Sequence, residues 1–64
     1  MKDQIKQAVI SHLEGMINKH KMNLQLMLNN PVAVAEHPDF LETFEGELEK
    51  VAHYEDMLKV TMGL

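Results

Sequence analysis

The chain has 64 residues, six of them Lys or Arg and ten Asp or Glu, for a net charge of −4, and it contains no cysteine. A domain of this size buries only about 60% of the surface its unfolded form exposes. Without thiols it has no disulfide and no thiolate metal site to stiffen a small core, which leaves association with another chain as the remaining support. No stretch approaches the roughly 20 consecutive apolar residues needed to cross a bilayer, so no membrane role is expected.

Lys2, Asp3 and Lys6 interrupt the N-terminal segment, and no apolar run forms a secretory-signal core there. The expectation is a single cytoplasmic domain spanning 1–64. Charge is divided unevenly. Residues 1–35 hold four Lys against Asp3 and Glu14, whereas residues 36–64 hold eight acids against Lys50 and Lys59. Opposite signs on the two halves favour antiparallel pairing of the segments that carry them. The chain has no Arg and its longer charge run is acidic, which argues against direct nucleic-acid binding, since phosphate recognition calls for a basic stripe.

The first predicted element is a helix over about residues 3–29. Its apolar residues recur at three- and four-residue steps, with Val9, Leu13, Met16, His20, Asn23 and Met27 as the seam and Ile10, Ile17, Leu24 and Leu28 widening the stripe. Gly15 lies inside this helix at a cost near 1 kcal/mol relative to Ala, and close packing is the expected reason to keep it. Pro31 ends the helix near Asn29 and Asn30, since Asn accepts a left-handed terminus.

Residues 30–37 form the turn, in which Val32 and Val34 are expected to tuck against the end of the hairpin. His37 as cap, Pro38 at the first helical position, and Asp39 with Glu42 in the first turn signal a second helix over about residues 38–62. Leu41, Phe44, Leu48, Val51, Glu55, Leu58 and Met62 make a sustained heptad seam there. The fold expected is all-α: a two-helix antiparallel hairpin. Two such rods leave half of each apolar stripe uncovered, so dimerisation into a four-helix bundle is expected.

Residues capable of chemistry do not assemble into a site. Four histidines and the Glu49/His53 and His12/Met16/His20 spacings invite a metal reading, but the glutamate and Glu-x-x-His set of a di-iron bundle is missing. Ser11, Thr43 and Thr61 stand near no glycine-rich turn, and no phosphate-binding loop occurs. Neither an enzyme, a cofactor nor a metal is expected. A turn centred near residue 34 would set Glu55 level with His12 and allow a hydrogen bond between them. The polar seam residues His20, Asn23 and Glu55 are read as fixing register. The methionines are expected in the core, with Met22, which sits off the seam, as the exception.

The run NNPVAVAEHPDFLETFEGELEKVAHYEDML, residues 29–58, resembles small proteins of unknown function encoded by tailed bacteriophages. The likeness is carried by Asn30-Pro31-Val32, Glu36-His37-Pro38-Asp39 and Tyr54-Glu55-Asp56, while Ala33 and Ala35 stand where that pattern would hold glycine. The resemblance implies a phage origin and no active site. It implies either a virion or assembly accessory, or an early protein that modulates a host factor. The second role would use an acidic face of Glu42, Glu45, Glu47, Glu49 and Asp56 against a basic partner.

Overall fold

A computed structural model describes residues 1–30 and 39–64, which form two helices, α1 (Lys2–Leu28) and α2 (Phe40–Met62), with no strand among the described residues. The helices lie side by side and antiparallel. Lys2 and Ile5 at the start of α1 share a surface with Thr61 and Leu64 at the end of α2, and Asn23 near the end of α1 reaches Glu47. The molecule is a rod of 50 × 14 × 11 Å.

Local signals account for both helices. Asp3 places negative charge in the first turn of α1, and α2 carries Glu42 in its first turn and Lys59 in its last, each complementing the helix dipole. α1 closes without a left-handed residue. Asn29 has φ −88° and ψ 7°, and the Asn30 N–H bonds to the Met27 carbonyl at 3.2 Å. The last turn is thus tightened into an i, i+3 bond, and the expected left-handed asparagine is not used. At the start of α2, Asp39 occupies the cap position, and its carbonyl accepts the Thr43 N–H at 3.0 Å. The expectations for Val32, Val34, His37 and Pro38 lie outside the described residues.

Each helix contributes two rows of side chains, spaced seven residues apart, to the contact between them. From α1 these are Ile10/Ile17/Leu24 and Leu13/His20/Met27. From α2 they are Phe44/Val51/Leu58 and Phe40/Glu47/Tyr54/Thr61. Every member is buried or half-buried, and Leu13, only 2% exposed, is the most enclosed. Full burial of an apolar side chain such as Leu13 contributes about 1.5–3 kcal/mol. Phe40 and Phe44 close the turn end with ring centroids 6.5 Å apart.

Two expectations about packing are corrected. Gly15 is exposed, and a Cβ built on it would meet nothing within 4 Å, so close packing within the hairpin does not explain this glycine. Glu55 faces Lys21, with Nζ 3.7 Å from Oε2, rather than His12.

Candidate functional site

The inner rows meet around a polar contact. The Nδ1–H of His20 donates to Glu47 Oε2 at 2.6 Å, and Asn23 Nδ2 donates to the same oxygen at 3.2 Å. A carboxylate can only accept, so it fixes the proton on His20 Nδ1. Lys50, one turn along α2, places Nζ 3.7 Å from Glu47 Oε1. The side chains of His20 and Glu47 are 6% and 14% exposed, and Tyr54 stacks on the His20 ring with centroids 5.9 Å apart and planes inclined by 6°. Hydrogen bonding from His20 holds the Glu47 carboxyl below the ordinary carboxylate range. Partial burial works against that shift, whereas Asn23 and the positive charge of Lys50 assist it. Among the described residues no buried side-chain nitrogen or oxygen lacks a partner.

Glu47 therefore does not belong to the acidic face expected of it. The other four, Glu42, Glu45, Glu49 and Asp56, follow one another at three-, four- and seven-residue steps on the side of α2 turned away from α1. All four are exposed and none enters an ion pair among the described residues.

The expected interface residues divide into two groups. Leu13, His20 and Val51 are buried, and Met16, Met27, Phe44 and Leu58 half-buried. Val9 is exposed, as is the whole row Leu41, Leu48, Glu55 and Met62. Met22 is exposed too. Sequence periodicity missed Glu47 and Tyr54 as inward groups, although both fall seven residues apart in line with Phe40 and Thr61.

The hairpin consequently has two distinct flanks. On one, an open groove of about 470 Å³ runs between Glu14, Ile17 and Lys21 of α1 and Glu55, Leu58 and Met62 of α2. Leu41 and Leu48 continue this flank along α2 by their seven-residue spacing. On the other flank Ile5 and Val9 lie beside Thr61 and Leu64 at one end of the rod. No helix among the described residues is long and apolar enough to cross a membrane. Among the same residues no group of three or more His, Asp or Glu side chains is gathered to hold a metal ion.

Comparison with protein-family models, curated proteins and solved structures finds no match.

Proposed function

We propose that this chain is a non-enzymatic interaction protein of tailed-phage origin. It self-associates into a homodimeric four-helix bundle and serves as a virion or assembly accessory in the host cytoplasm or in the particle. The observation that carries the reading is surface area. The chain exposes 5116 Å², whereas a folded monomer of 7.3 kDa is expected to expose roughly 4,200 Å². The excess, somewhat over 900 Å² per chain, is close to the roughly 800 Å² that each partner contributes to a stable interface. Much of it is apolar, with Leu41, Leu28, Met62 and Ile5 all more than half exposed. Sedimentation equilibrium of the untagged chain tests the reading: twice the chain mass is expected, and a monomer at every concentration would end it. The assembly role further requires the chain in purified particles by mass spectrometry, and its absence would remove that role.

The exposed acidic stripe on α2 favours a second reading, an early protein that modulates a basic host factor through Glu42, Glu45, Glu49 and Asp56. In the hairpin these carboxylates are exposed on the side of α2 turned away from α1. Reversing Glu45 and Glu49 to Lys would abolish recovery of such a factor, and unchanged recovery would eliminate this reading.

A further inference from the structure

We infer that the second copy of this chain seats on the flank formed by Leu41, Leu48, Glu55 and Met62 of α2 with Lys21 of α1, and not on the Ile5/Val9 flank. The inference rests on the self-association reading and adds the surface that mediates it.

Length is the first argument. A helix in a bundle needs an apolar row along its whole contact. Leu41 to Met62 covers 21 residue steps, about 31 Å at 1.5 Å per residue, nearly the full length of α2 (Phe40–Met62). This row lies directly beside Phe44/Val51/Leu58, so α2 carries a three-four pattern that is apolar at every position but Glu55 and of which the hairpin itself covers only half. The opposite flank has no such continuity. Ile5 and Val9 occupy one end of the rod, and farther along the same side Asn23, Glu47 and Lys50 engage one another.

Charge is the second argument. The groove on the chosen flank is lined by two acids, Glu14 and Glu55, and two bases, Lys21 and Lys59. A balanced surface offers little to a strongly acidic or strongly basic partner. It suits a two-fold contact, in which each acid of one copy can meet a base of the other. Lys21 and Glu55 already pair within the chain, and both are about half exposed there. A second copy would cover them without leaving either charge alone. The area to be covered is the third argument, since the excess surface is of the size one such interface removes.

Sedimentation equilibrium of the full-length chain and of two variants, L48K and V9K, tests this. Leu48 and Val9 are both exposed in the hairpin, so neither change disturbs its own core, and circular dichroism at matched concentration checks that each variant stays helical. L48K should weaken dimerisation by about tenfold or more, the effect of placing a charge inside a desolvated contact, while V9K should leave it within about twofold. A dimer unaffected by L48K but disrupted by V9K would overturn the choice of flank and leave self-association standing. A wild-type monomer at all concentrations would overturn both. Because the chain has no cysteine, a spin label on L48C or V9C gives a second readout that does not depend on a charge. The label at 48 should be immobilised at dimer concentrations and the label at 9 mobile, and the reverse pattern would also overturn the choice.

Discussion

Nδ1 of His20 lies 2.6 Å from Oε2 of Glu47, joining side chains 27 residues apart in the chain and on different helices. This contact sits inside the helix interface rather than at its rim, its side chains 6% and 14% exposed, whereas the Lys21–Glu55 ion pair is about half exposed on both sides. The accepting oxygen also holds Asn23, so one carboxylate satisfies two groups that α1 turns inward.

Removing that acceptor should be costly. Glu47→Ala leaves the His20 and Asn23 donors facing a largely apolar contact, and a loss of about 1–3 kcal/mol is expected in urea unfolding. Replacing all three polar residues with Leu should be far milder than Glu47→Ala alone, because a paired group removed together with its partners leaves nothing unsatisfied. A triple variant less stable than the single one would contradict this account.

Acid should weaken the fold through the same residue. The Glu47 carboxyl is held below its unfolded value, chiefly by the His20 hydrogen bond. Its contribution is therefore fully present above the unfolded value of about 4.3 and is lost as pH falls through the lowered folded value. Unfolding midpoints from pH 7 to pH 3 should fall more steeply for the natural chain than for Glu47→Gln, the gap between the two curves being widest above about pH 5 and closing below it. Parallel curves would show that the carboxylate is not stabilised in the fold.

Gly15→Ala should stabilise the chain by about 1 kcal/mol, raising its melting temperature by about 4–8 °C. A Cβ there meets nothing within 4 Å, and alanine removes the backbone entropy that glycine loses in a helix. A destabilised variant would mean that something else packs against this turn of α1, on the side away from α2.

Leu13→Ala and Leu41→Ala should separate core from exposed flank. Leu13 is 2% exposed and Leu41 64%, so the first should cost about 2–5 kcal/mol. The second should stay within about 0.5 kcal/mol at concentrations where the chain is monomeric. Urea unfolding across a dilution series measures both.

Two helices and their antiparallel pairing follow from the three-four spacing of apolar residues and from the proline near each side of the turn. Which rows face inward was half legible. Leu13/His20/Met27 and Phe44/Val51/Leu58 are read from periodicity alone. On α1, Ile10/Ile17/Leu24, which the spacing sets beside the seam, are among its inner residues, while of the seam residues Val9, Met16 and Asn23 only Val9 is exposed; on α2 the spacing favoured Leu41/Leu48/Glu55/Met62, whereas Phe40/Glu47/Tyr54/Thr61 takes the inner position. On α2 hydrophobicity misleads, because Leu41, Leu48 and Met62 are more apolar than Glu47, Tyr54 and Thr61. What turns the polar row inward is its match with His20 and Asn23 on the other helix. That relation joins residues 24 and 27 positions apart, beyond the reach of a pattern read along one segment.

The 50 × 14 × 11 Å rod has a consequence for anyone measuring this protein's size. Its radius of gyration is 15.0 Å, against about 11 Å for a compact chain of 64 residues. The value is close to that of a compact protein of roughly 150 residues. A gel-filtration column calibrated with globular standards would therefore report a single hairpin as something near twice its mass. A second copy laid alongside thickens the rod without lengthening it, so its scattering radius would change little. A method that weighs the particle, rather than sizing it, is needed to count the chains.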